Sequence, residues 1–157
     1  MGVAISSGRI GFAYLVDGEL MDWGLSLRSS RNFDAAFSRV LNWLIYYHPE
    51  VLVAEDLGAS RKGDHSRTIL MAVESAANNA GVAFVTLERF ADGPNKFVAA
   101  ARLAEEFPQI SAWLPNPRRA WEHEPRNIIY FEALGLARDW WRGNQDEIGE
   151  LPNVDAE

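Results

Sequence analysis

Cysteine is absent from this sequence. Disulfide scaffolds, thiolate metal sites and cysteine nucleophiles are excluded with it, and the absence accords with a reducing compartment. Long apolar runs are missing too. Runs such as Val51 to Ala54 fall far short of the roughly 20 residues a membrane helix needs. The opening MGVAISSGRIGF has no apolar core with a basic flank, so no secretory signal is expected. Gly2 stands at the spacing of a myristoylation motif, but an apolar strand is the reading adopted there. A soluble, cytoplasmic protein with no membrane partner is the expectation. Lysine is scarce as well: 13 of the 15 bases are arginine, a side chain suited to bidentate phosphate contacts and also common on ordinary surfaces.

The 157 residues are 48% hydrophobic, which fits one folded domain with a substantial core. The formal charge of −7 is unevenly spread. Residues 139–157 hold six acids and one base, leaving 16 acids and 14 bases, a net of −2, in the rest. The acidity is therefore largely a property of the tail. The overall charge gives no support for constitutive nucleic-acid binding.

Hydrophobic periodicity predicts strands at Val3 to Ile5, Arg9 to Val16 and Glu19 to Leu27, the last two joined by an Asp17-Gly18 hairpin of the I′ class. Asn32 is the expected cap of a helix that carries Phe33, Phe37, Val40, Leu41, Leu44 and Ile45 and stops at Pro49. Val51 to Asp56 reads as a buried strand. Gly58 to His65 reads as a polar, basic loop. Ser66 is the expected cap of an Ala-rich helix ending at Gly81, which Ala83 to Glu88 follows as a strand. A turn at Asp92-Gly93-Pro94, a helix from about Asn95 to Glu106, a Pro-broken stretch and a last helix from about Arg126 to Trp141 complete the order β-β-β-α-β-α-β-α-α. This order predicts an α/β fold, a mixed sheet of five strands with helices on both faces. Residues 1–142 form the expected single domain and 143–157 an acidic, loosely ordered tail.

Two acidic positions stand out. The apolar strand Val51-Leu52-Val53-Ala54 ends in Glu55-Asp56. Ligands of open α/β sheets gather beyond strand carboxyl ends, and carboxylates there hold hard cations such as Mg²⁺. The plainer reading is that the pair marks the strand's exit into solvent. Glu132 has Ile128, Ile129, Gly135 and Leu136 as its axial neighbours. An ionised carboxylate in such a stripe is costly unless paired or metal-bound. It either reaches solvent at the stripe's edge, pairs with Arg126 or Arg138, or binds a ligand. Gly135 on the same side suggests that this helix closely approaches another backbone.

In the order and spacing of its elements the sequence resembles the RuvC-like Holliday-junction resolvases, within the ribonuclease H-like nucleases. The likeness rests on VAISSGRIGFAYL at the opening hairpin, on LVAEDLGASRKGDHSRTILMAVESAANNAG around the acidic strand end, and on FEALGLA in the last helix. It spans roughly Val3 to Trp141. The resemblance implies a ribonuclease H-like fold and a homodimer acting on branched or structured DNA or other nucleic acid. It also implies an Mg-dependent (or Mn-dependent) endonuclease, with carboxylates around two ions. Glu55 then matches the strand-end ligand and Glu132 the last-helix ligand. Ser6 stands where the family has an aspartate, and Ile129 where it has a further acid. Asp56 is a substitute ligand only if geometry brings it in, as are Glu122, His123 and Glu124. The resemblance therefore leaves two expectations: a metal-dependent nuclease, or an inactive module of the same scaffold that binds nucleic acid or a protein partner.

Candidate phosphate contacts are Arg61, Lys62 and Arg67 in the basic loop, Lys96 at a helix start, and Arg118 and Arg119 in WLPNPRRAWEHEPRN. Trp113 and Trp121 in that last segment are either base-stacking platforms or packing for an irregular stretch. Trp140 and Trp141 cover either the core or a dimer contact. Gly8 and Gly11 lack the Lys-Ser/Thr ending of a phosphate loop. No hydrolase triad is apparent.

Overall fold

The computed structural model describes residues 1–6, 8–58, 63–88, 95–117, 119 and 121–149, the last four of these as backbone only. Strand β1 (Gly2–Ser6) lies at the centre of the sheet. It pairs antiparallel with β2 (Arg9–Val16), which pairs antiparallel with β3 (Glu19–Leu27). On its other side β1 runs parallel to β4 (Val51–Glu55), and β4 parallel to β5 (Ala83–Leu87). The order is β3-β2-β1-β4-β5. The hairpin turn is of the expected kind, with positive φ at both Asp17 and Gly18.

Side chains alternate across the sheet and so build two cores. Val3, Ile10, Phe12 and Leu52 point to one face, against α1 (Phe33–Tyr47) and α2 (Asp64–Ala80). Ala4, Ala13 and Leu20 point to the other, against α3 (Lys96–Glu106) and α4 (Ile128–Gly149). Central strands covered on both faces are apolar throughout, which is why Val3 and Ala4 are both buried.

Several helix ends follow local chemistry. Asn32 accepts the Ala35 N–H at 2.8 Å, and Asn95 accepts the N–H groups of Phe97 and Val98. Gly81 closes α2 in the left-handed region, at φ 69°. Three expectations need correction. Ser66 is not the cap of α2; Gly63 holds that position, and the acid Asp64 sits in the first turn, where the helix dipole favours it. The last helix continues past Trp141 to Gly149, tied to α3 by Glu106, which accepts from Arg138 at 2.8 Å and from Arg142 at 2.5 Å. The close backbone approach of α4 is made at Gly2, not at Gly135. A Cβ on Gly2 would lie 2.1 Å from the Ala133 carbonyl oxygen, whereas one on Gly135 would meet Leu103 at an ordinary 3.6 Å. The expected turn at Asp92-Gly93-Pro94 lies outside the described residues. Among the described residues no helix is long and apolar enough to cross a membrane.

Candidate functional site

The carboxyl ends of β1 and β4 lie side by side, because the two strands are parallel neighbours. Gly2 pairs with Val53 and Val3 with Ala54; continuing this register sets Ala4 beside Glu55. Gly2 and Ala4 face α4. By alternation Ser6 and Glu55 share that face. Glu132 belongs to α4, which covers it. Both Glu55 and Glu132 are half-buried and engaged in contacts. Asp56 lies past the strand's end. Its backbone N–H donates to the Leu87 carbonyl, and its Oδ1 accepts the Gly58 N–H at 2.8 Å, so the carboxylate shapes the following turn.

The Ser6 carbonyl oxygen accepts the Ser30 hydroxyl at 3.0 Å. His65 Nε2–H in turn donates to the Ser30 carbonyl at 2.7 Å. The start of α2 is thereby joined to the end of β1 through the short 3₁₀ turn Ser29–Arg31. One turn before Glu132, Ile129 is buried, and its side chain fills the space over Gly11, where a Cβ would come within 2.9 Å of it. Hydrocarbon therefore occupies the helix position at which an acid would face the sheet.

This donor set does not fit a two-ion centre. Mg²⁺ binds through hard, mostly anionic oxygens, and a pair of ions needs several carboxylates between them. Of the four matched positions, Glu55 and Glu132 bring charge, Ser6 brings a neutral hydroxyl, and Ile129 brings nothing. Among the described residues, no group of three or more acidic or histidine side chains is placed to hold a metal ion.

Three of the six basic candidates, Arg67, Lys96 and Arg119, lie among the described residues. Arg61, Lys62 and Arg118 lie outside the described residues. Arg67 is exposed in the first turns of α2, its guanidinium 3.5 Å from the Leu57 carbonyl. Lys96 forms an ion pair with Glu124, so its charge joins α3 to the segment before α4. Arg119 lies over the ring of Trp121, 5.7 Å from its centroid, and Trp121 is 78% exposed. Trp113 meets Trp23 edge-on at 5.1 Å, a packing contact. Glu122 accepts the Arg119 N–H and His123 is exposed, so Glu122, His123 and Glu124 act as separate surface groups. Trp141 packs on the hairpin turn at Gly18.

The sequence reading missed Arg28, Arg31 and Arg39, which line one open groove beside the end of β3. The signal was present: from Arg28 to Asn42 there are three arginines and a single acid, Asp34.

No protein-family model matches the sequence, and no curated protein matches it. Solved structures do match. Thermus thermophilus RuvC in complex with a Holliday junction substrate is 20% identical, with 94% of each chain covered and a TM-score of 0.55. A second Thermus thermophilus RuvC structure is 19% identical, covers 94% of this chain and 95% of its own, and has the same TM-score of 0.55. Together with the strand order and the placement of α1 and α2 opposite α3 and α4, these likenesses show that the chain is RuvC-like in fold, an α/β domain of the ribonuclease H-like type.

Proposed function

We propose that this chain is a RuvC-like module that binds branched or structured nucleic acid and lacks the ligands for two-ion cleavage. The fold supports the first half: a protein of the same fold is seen with a Holliday junction substrate. The burial of Ile129 over Gly11 carries the second half, with Ser6 ending the central strand. The proposal includes a homodimer as the working form, which rests on the resemblance of the sequence to the family.

A Mg²⁺- or Mn²⁺-dependent endonuclease is the second reading. The placement of Glu55 on the face that α4 covers, with Glu132 on that helix, favours it. One assay separates the two. A labelled four-way junction is titrated with the protein, without metal and then with Mg²⁺ or Mn²⁺, beside the Glu55→Gln variant. Retained junction with a shifted band in every lane is the expected result. Metal-dependent nicking that disappears in Glu55→Gln would establish the nuclease instead. A lack of any binding, to DNA or RNA junctions, would point to a protein partner for the scaffold.

A further inference from the structure

The end row of the sheet leads from the candidate site to an arginine groove. Ser6 pairs with Arg9, and Arg9 with Leu27, so these residues stand abreast across β1, β2 and β3. Two strand spacings, about 10 Å, separate Ser6 from Leu27. Immediately beyond Leu27 the chain enters an open groove of about 250 Å³. Arg28, Arg31 and Arg39 line it, together with the hydrogen-bonding side chains of Ser38 and Asn42. Among the described residues no acidic side chain lines it.

The groove is built rather than incidental. Ser38, Arg39 and Asn42 recur at the three- and four-residue spacing that aligns side chains along one stripe of α1. Arg28 is held opposite that stripe in a left-handed conformation, φ 71°, its N–H donating to the Gly8 carbonyl at 2.7 Å. For a residue other than glycine that conformation is uncommon and unfavourable, so the surrounding contacts must impose it. Exposed arginines commonly find carboxylates nearby. Among the described residues none of these three forms an ion pair. Three positive charges gathered without counter-charge repel one another, and an anion relieves that repulsion. Guanidinium forks match phosphate oxygens in geometry as well as in charge.

We propose that Arg28, Arg31 and Arg39 grip the phosphodiester backbone of a nucleic acid as it runs from the candidate site past the edge strand β3. The proposal rests on the nucleic-acid reading given above and names a surface for it. Its contacts position the strand and carry no sequence preference.

The test measures the affinity of the full chain for a DNA duplex and a four-way junction across a salt series. Arg28→Ala, Arg31→Ala, Arg39→Ala and the triple variant are compared with the parent, and a thermal melt confirms that each is folded. Each single variant is expected to bind more weakly on both probes and to lower the slope of log affinity against log salt by about 0.9, the triple variant by about three times as much. Arg39→Lys, which keeps the charge, is expected to keep the slope. A parent that binds, with folded variants of unchanged slope, would overturn the groove and leave the nucleic-acid reading standing. A parent that binds neither these probes nor an RNA four-way junction run beside them, at any salt concentration, would overturn both.

Discussion

At Gly2 the absence of a side chain decides whether α4 can lie on the sheet. A Cβ there would meet the Ala133 carbonyl oxygen at 2.1 Å and the Ala137 nitrogen at 3.0 Å, both backbone atoms of a long helix that cannot step aside. At Gly11 the corresponding contact is the Ile129 side chain, which can turn. Gly2→Ala is therefore expected to destabilise the fold by about 3 kcal/mol, the upper range for overpacking, and Gly11→Ala by about 1 kcal/mol. Urea unfolding of both variants checks the order; equal losses would show that α4 shifts freely. The sequence pointed to a close helix approach but placed it at Gly135. A glycine in a helix is visible as an oddity, whereas one in a short first strand reads simply as small. Only the packing tells which of the two faces a backbone.

Elements were legible where a residue acts on its own neighbourhood. Asn32, Gly81 and the Asp17-Gly18 turn all satisfy or bend the backbone within a few residues, and each stands where the pattern put it, while Asn95, expected only as the approximate start of its helix, proves to be the cap of α3. Ser66 misled because the polar stretch before α2 offers several possible starts, and the helix takes an earlier one. The length of α4 depends on another element: Arg142 lies beyond the expected end but bonds to Glu106 of α3. Local caps remain the most predictable energies in the chain. Asn32→Ala removes the acceptor for the Ala35 N–H and is expected to cost about 1 kcal/mol. Asn32→Asp retains an acceptor beside the positive end of the helix and is expected to restore most of that loss. Denaturant midpoints of the two variants give the comparison. If both lose stability equally, the cap is not what holds α1 in place.

At the scale of the whole molecule, the mixed five-stranded sheet and its two covered faces followed from the alternation of strands and helices, whereas the strand order came only with the structure, and Ser6 and Ile129 stood out as departures before any geometry was known. The arginine groove showed in the sequence only as three arginines within residues 28–42; its members come from a strand exit, a 3₁₀ turn and a helix, and the fold is what places them along one groove. The same fold sets what a cation can contribute to stability. An ion that binds only the folded state stabilises it by RT ln(1 + [L]/Kd), so a site of about 1 mM affinity in about 10 mM Mg²⁺ gives about 1.4 kcal/mol. For a chain of this size that corresponds to about 3–6 °C in Tm. Two carboxylates, a serine hydroxyl and a buried isoleucine are too poor a donor set for that, so Tm is expected to rise by less than about 1 °C, and equally in Glu55→Gln. A rise of several degrees that Glu55→Gln abolishes would mean that water supplies the missing ligands, and the nuclease reading would have to replace the one proposed here.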